Sequence, residues 1–351
     1  MMNKFKSLLL LLLSISIFSC GSNSAKKSSN FSLKIEENRN EFQLGETLKL
    51  NIENKKEREI DSVFYYFQQK KLNPGTETGL SFKFEEVKLG KHIFEAVVFY
   101  EGKTDTITSD VKVYNDSAPV SYTYEIVNEF PHDQNAYTQG LEFFNDTLYE
   151  STGQYGSSSL RKTYHETGEI LQKKTLSDNY FGEGLSILNG KIYQLTWNEG
   201  EGLIYDLENF EQTGTFSYNQ SKEGWGLCND GAQFYKSDGT EKIWILDAET
   251  LGERDFIQVA THKSIVSRMN ELEWVDGKIY ANTYQKDGVA IINPENGAIE
   301  GLIDFRGLRD KVTQHDKLDV LNGIAWNPNS GKLYVTGKNW DKLFEVEIKE
   351  K

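Results

Sequence analysis

Five tandem segments of this chain begin with residues able to do chemistry: Gln139, Glu183, Trp225, Asn270 and Asn322. Each segment ends about fourteen positions later, at Gly153, Trp197, Gly239, Tyr284 and Lys338. Together these ten positions hold one carboxylate, three side-chain amides, one lysine and three aromatic rings. A carboxylate in a partly dry mouth gains proton affinity, which suits it to shuttle protons. Amides and an ammonium can hold an oxygen on which negative charge develops, and flat rings can wall a substrate pocket. Plainer readings stand beside these. Glu183 could be tied to Lys338 in a salt bridge, the amides could serve strand ends, and the aromatics could pack one repeat against the next.

Other chemistries find little support. The chain has no G-x-S-x-G nucleophile turn, and its five histidines, His92, His132, His165, His262 and His315, lie scattered. No H-x-E or H-E-x-x-H spacing exists, so neither a metal site nor any cofactor is expected. Cys228 sits in a strand-like run beside Leu227 and reads as a buried, inert thiol. A net charge of −14 argues against nucleic acid as a partner, because binding a phosphate backbone needs a basic face.

What must position the ten residues is legible in the repeat itself. The segment starts are 44, 42, 45 and 52 residues apart. Each segment reads strand, tight turn, strand, with turns such as Asn189-Gly190 and Asp276-Gly277. A tyrosine lies ten positions into the first four copies (Tyr149, Tyr193, Tyr235 and Tyr280) and recurs as Tyr334 in the fifth. A second hairpin follows each of the first four. Four strands per 40–50 residues is the signature of a propeller blade, so residues 122–351 are expected to form a five-bladed β-propeller. The last blade lacks its outer strand, which Thr123–Phe130 should supply from before the first repeat, removing a free edge. Because the two ends of an antiparallel hairpin lie together, segment starts and ends should ring one mouth of the central channel. The loops Ile257–Met269 and Phe305–Val320 should open on the same face.

The rest of the chain reads as a delivery device. Lys4 and Lys6 precede the apolar run Leu8–Ile17, and Cys20 follows a small residue at the cleavage point. Residues 1–19 therefore look like a signal peptide, with Cys20 lipidated and residues 20–30 a serine- and lysine-rich tether. The expected location is the cell envelope, anchored to a membrane. Residues 31–115 read as six or seven short strands, an immunoglobulin-like β-sandwich without visible chemistry. The turn Asn73-Pro74-Gly75 separates two of them, and Leu80–Val87 is one of the strands. Asp116–Val120 links the two domains.

Eight strings occur in order: YTQGL at Tyr137, YESTG at Tyr149, GEGL at Gly182, LTW at Leu195, EGWGL at Glu223, NELE at Asn270, LNGIAW at Leu321 and TGK at Thr336. In these the chain resembles the plant and bacterial glutaminyl-peptide cyclotransferases of the β-propeller type, over about Tyr122 to Glu347. The resemblance implies conversion of an N-terminal glutamine to pyroglutamate with release of ammonia, on peptides or proteins as substrates. It also implies that Glu183 is the catalytic acid–base, that Asn270 and Lys338 act with it, and that Gln139, Trp197, Trp225 and Tyr284 line the substrate site; Asn322 joins them by its place at the start of the fifth repeat. Tyr284 stands where the family has a third tryptophan. Two other readings remain: a non-catalytic propeller that binds peptide or glycan, and a metal-dependent propeller hydrolase. The second would need several carboxylates at the mouth.

Overall fold

The computed structural model describes residues 30–75 and 78–351. The expected signal peptide and Cys20 lie outside them. Among the described residues, apart from one short 3-10 turn at Arg309–Lys311, every regular element is a β-strand, as the two-residue alternation of the sequence requires. No helix among the described residues is long and apolar enough to cross a membrane.

The first domain is two sheets face to face. One has the order Phe31–Ile35, Thr47–Asn54, Gly79–Lys83; the other Glu41–Gln43, Lys103–Tyr114, Gly90–Tyr100, Ile60–Phe67, Lys70–Gly75. Phe42, Leu48, Leu50, Phe84 and Phe94 are buried in the core between them. Two local expectations fail here. Asn73-Pro74-Gly75 is not a turn but the end of a strand, paired from Phe67↔Lys70 to Val63↔Gly75. That strand is the edge of its sheet, where a residue without an N–H is tolerated. The strand expected to run to Val87 stops at Lys83.

The repeats form a propeller-like ring. Residues 138–175, 182–217 and 227–258 each make a four-stranded antiparallel sheet in sequence order. The last two repeats share an eight-stranded sheet, joined through the strand Val120–Pro131. That strand pairs antiparallel with Lys342–Glu350, from Lys342↔Pro131 to Glu350↔Tyr122. Its first residues also pair in parallel with Ile299–Asp304, beginning at Gly301↔Val120. The outer strand therefore does come from before the first repeat, and it is longer than expected at both ends.

The inner strands Thr138–Phe144, Gly182–Leu188, Leu227–Asn229, Met269–Val275 and Leu321–Asn327 touch their neighbours in order, and the last touches the first. Glycine permits that approach. A β-carbon on Gly140 would lie 2.6 Å from Leu185 N, and one on Gly226 only 2.0 Å from Asn270 O. The fourth repeat carries Glu271 at this position. Its buried carboxylate crosses the channel and accepts from Leu141 N at 3.4 Å and Ile324 N at 3.0 Å. It thus ties the first and fifth repeats to the fourth.

The first domain docks on the outer edge of the third and fourth repeats. Lys88 pairs with Asp255 at 2.5 Å and Lys91 with Glu241 at 2.8 Å. Leu89 N donates to Asn296 O at 2.8 Å, and Asn115 N to Thr261 O at 3.1 Å. Part of the loop expected to open over the mouth is thereby held against the sandwich, with Ala260 and Ile265 in its core cluster.

Candidate active site

Hairpin register brings the ten positions together in pairs. Gly153 N donates to Tyr137 O at 2.8 Å, Trp197 N to Phe181 O at 3.0 Å, Tyr284 N to Arg268 O at 2.9 Å, and Lys338 N to Val320 O at 2.9 Å. In each case the end of the second strand bonds a residue two before the start of the first. In the third repeat, a β-carbon on Gly239 would lie 2.6 Å from the Trp225 ring.

Glu183 is buried, and Gln139 Nε2 donates to its Oε1 at 3.1 Å. Gln139 is itself held from behind, since Asn322 Nδ2 donates to Gln139 Oε1 at 3.2 Å and to Thr138 O at 2.9 Å. Asn322 has no exposed surface; it supports Gln139 rather than facing the mouth. Burial holds the Glu183 carboxyl well above the ordinary carboxylate range. The ammonium of Lys338 pulls it down, while Glu223 and Glu199 push it up.

Lys338 is buried as well, and burial lowers its pKa against the opposing pull of Glu183 and Asp319. No ion pair joins Lys338 to Glu183 among the described residues. The two charges sense each other across a gap instead. The ammonium lies 4.8 Å from the centre of the Tyr137 ring and 5.6 Å from that of Tyr284, contacts that partly replace lost water. Asn270 is 3% exposed, and its side chain makes no hydrogen bond among the described residues, although its backbone oxygen accepts from Ser237 Oγ at 2.7 Å.

The aromatic walls touch edge to face. Trp225 meets Tyr284 at 5.5 Å and 75°, and Trp197 meets Phe181 at 5.5 Å and 63°. Phe181 in turn contacts Tyr137 at 6.3 Å and Tyr155 at 5.4 Å. Several of these partners were not singled out from sequence. Tyr137, whose hydroxyl donates to Asp319 Oδ2 at 2.8 Å, Phe181 and Glu223 lie within or beside the quoted strings. Tyr137 is hidden because its partner Asp319 comes from the fifth repeat.

The far end of the inner strands is different in kind. A cavity of about 300 Å³ there is lined by Glu142, Glu273, Asn229 and Trp326 among others. Glu142 accepts from Ile187 N at 3.1 Å and Glu273 from Trp326 N at 2.8 Å, so both carboxyls are spent on tying inner strands together. Two tryptophans, Trp274 and Trp326, also line this cavity, but no lysine is among its lining residues. Cys228 lies between the two ends, buried, with its thiol pushed well up by desolvation and by the channel carboxylates.

A family model described as glutamine cyclotransferase matches residues 98–348. A glutaminyl-peptide cyclotransferase of Arabidopsis thaliana is 40% identical over 229 residues, covering 64% of this chain and 71% of its own. The crystal structure of Myxococcus xanthus glutaminyl cyclase superposes with a TM-score of 0.62 at 34% identity, over 66% of this chain and 99% of that one. The family match over residues 98–348 and the 40% identity to the plant enzyme show that the chain belongs to the glutamine cyclotransferase family.

Proposed function

We propose that this protein is a glutaminyl-peptide cyclotransferase, converting the N-terminal glutamine of peptides or proteins to pyroglutamate and ammonia. The observation that carries the reading is the burial of Glu183 and Lys338 at the same mouth without an ion pair between them. Both are buried, neither neutralises the other by contact, and aromatic rings flank the space around them.

In this reading the free α-amine of the substrate attacks the carbon of its own γ-carboxamide. An α-amine has a pKa of about 7.7–8.0, so a useful fraction is neutral near neutral pH. Glu183 takes a proton from the attacking nitrogen and gives it to the departing amide nitrogen, which leaves as ammonia while the lactam closes. A carboxyl whose proton affinity is raised by burial suits both halves of that relay, a contribution of about 10²–10⁴ in rate. Gln139, committed to Glu183 and backed by Asn322, orients the acid. Asn270 and Lys338 keep their polar heads uncommitted and are placed to hold the oxygen of the γ-carbonyl as it gains charge. Trp197, Trp225 and Tyr284 fold the side chain back toward its own amine, since ring closure depends on a near-attack geometry.

The same reading extends to the whole chain. The ring has five blades, its eight-stranded sheet being two blades joined by Val120–Pro131. The first domain is an immunoglobulin-like spacer, and a lipid on Cys20 holds the protein at the membrane of the cell envelope. No metal takes part. The test is ammonia release from a glutaminyl-naphthylamide with and without chelator. Release that survives chelator and disappears in Glu183→Gln supports the cyclotransferase. Loss with chelator points to a metal-dependent hydrolase, and silence throughout to a binding propeller.

A further inference from the structure

We infer that Glu223 is a positioning residue of this pocket: one carboxylate oxygen fixes both indole walls, and its unpaired charge acts on Glu183. The inference rests on the cyclotransferase reading above and adds a residue to it.

Trp197 Nε1 and Trp225 Nε1 both donate to Glu223 Oε2, each at 2.8 Å. An indole has a single donor, so aiming two of them at one atom fixes the direction of both ring planes. Because the acceptor is ionised, each bond is stronger than one between neutral groups. The indoles come from different repeats, one closing the second and one opening the third, so Glu223 sets their mutual spacing. Each ring is caught a second time by its aromatic neighbour, Phe181 for Trp197 and Tyr284 for Trp225.

The segment that carries Glu223 is braced for the purpose. Lys236, with no exposed surface, donates from Nζ to Glu223 O at 2.8 Å and lies 3.5 Å from Glu253. The same ammonium sits 4.1 Å over the ring of Tyr218, whose hydroxyl donates to Thr196 O at 2.8 Å. Glu253 accepts from Gln220 N at 2.6 Å and Ser221 N at 2.9 Å, and Ser221 Oγ bonds both Glu253 and Lys236. Gly224 N closes the bracket on Trp197 O at 3.0 Å. A buried lysine and glutamate are costly to bury, and here they hold one loop that presents the half-buried carboxylate between two indoles.

The Glu223 carboxylate makes no ion pair among the described residues, and its charge raises the proton affinity of Glu183. Glu183 also faces Lys338 from the fifth repeat, Glu199 from the loop after its own hairpin, and the phenols Tyr137, Tyr155 and Tyr218, whose proton affinities desolvation raises. Glu223 therefore has two separable duties. Geometry needs an acceptor oxygen, which glutamine also has; the field needs a charge, which glutamine lacks.

The experiment uses the purified protein, Glu223→Gln and Glu223→Ala, with Trp197→Phe and Trp225→Phe to assign the two indole N–H resonances by NMR. The pH dependence of kcat/KM on a glutaminyl peptide is measured in parallel. Glu223→Ala is expected to shift both resonances and raise KM by about tenfold to a hundredfold, the range for losing charge-assisted bonds. Glu223→Gln is expected to leave the resonances near their places. Removing a negative neighbour favours ionised Glu183, so the acid limb of the profile moves to lower pH. Resonances unmoved in Glu223→Ala, or an acid limb unmoved in Glu223→Gln, overturn the inference. If alanine prevents folding, the glutamine variant alone decides by its acid limb. A wild-type protein that releases no ammonia defeats the cyclotransferase reading instead, and the indole resonances then still judge the clamp.

Discussion

Replacing Glu271 with alanine tests how the ring is held closed. The side chain accepts from Ile324 N at 3.0 Å and, more weakly, from Leu141 N at 3.4 Å. Alanine leaves both buried donors without a partner, at about 1–3 kcal/mol for each unsatisfied group. The longer bond belongs at the low end, so the sum is about 2–4 kcal/mol. Burial raises the Glu271 carboxyl well above its ordinary range. Little charge energy is therefore surrendered with it. In a domain of this size about 1 kcal/mol moves Tm by roughly 2–4 °C, so a fall of roughly 5–15 °C is expected. Glu271→Gln keeps one acceptor oxygen and should lose about half as much. The assay is thermal unfolding followed by circular dichroism and calorimetry, with the exposed Glu211→Ala as control. A Glu271→Ala midpoint within about 1 °C of the control would mean that the two amides find other acceptors and that Glu271 ties nothing.

Glu183→Gln should lower kcat by about 10²–10⁴ while leaving the unfolding midpoint nearly unchanged, measured by ammonia release and melting on the same samples. Tyr284→Trp restores a larger wall beside Trp225 and should change KM more than kcat, read from steady-state kinetics on glutaminyl peptides of different length. Glu142 is held at about 8 by burial, against an ordinary value of 4.5. A raised carboxyl contributes stability that is full below about 4.5 and lost as pH climbs to about 8, by at most about 1.4 kcal/mol per pH unit. Urea unfolding at pH 5 and pH 8 should therefore show a weaker protein at pH 8, and Glu142→Gln should reduce the difference. Gly226→Ala places a methyl 2.0 Å from Asn270 O; crowding of this kind costs about 1–3 kcal/mol, and kcat should fall because Asn270 is displaced with its backbone.

What the sequence reveals and what it hides divide along the range of the interaction. Strand, turn and repeat are local, so Asn189-Gly190 and its counterparts announce the hairpins, and hairpin register alone brings Glu183 beside Trp197 at one mouth. Even the borrowed outer strand is legible, because the fifth repeat visibly lacks one. Contacts between repeats leave no such trace. Nothing in the sequence marks Gly140 and Gly226 as contact points until the neighbouring backbone is seen against them. Glu271 sits beside Asn270 in the NELE string but serves the opposite partners, Leu141 and Ile324. Asn322 shares the register of Gln139 yet points behind it. Pro74 misleads for a related reason: whether it makes a turn or an edge depends on the strand at its side. The loop at residues 260–265 is claimed by the first domain, which the propeller repeat does not encode.

The seam formed by Val120–Pro131 and Lys342–Glu350 has a consequence for biosynthesis. Its two sides are far apart along the chain, with Asn128 and Glu345 bonded across 217 positions. A chain that emerges N-terminus first, as during export, presents the first side early and must wait for the second, with an unsatisfied edge exposed meanwhile. Contacts of such long separation form slowly and invite wrong pairing. The sandwich precedes the repeats in the chain and offers the third and fourth of them a surface through Lys88, Leu89 and Lys91, and arrival of Lys342–Glu350 locks the circle.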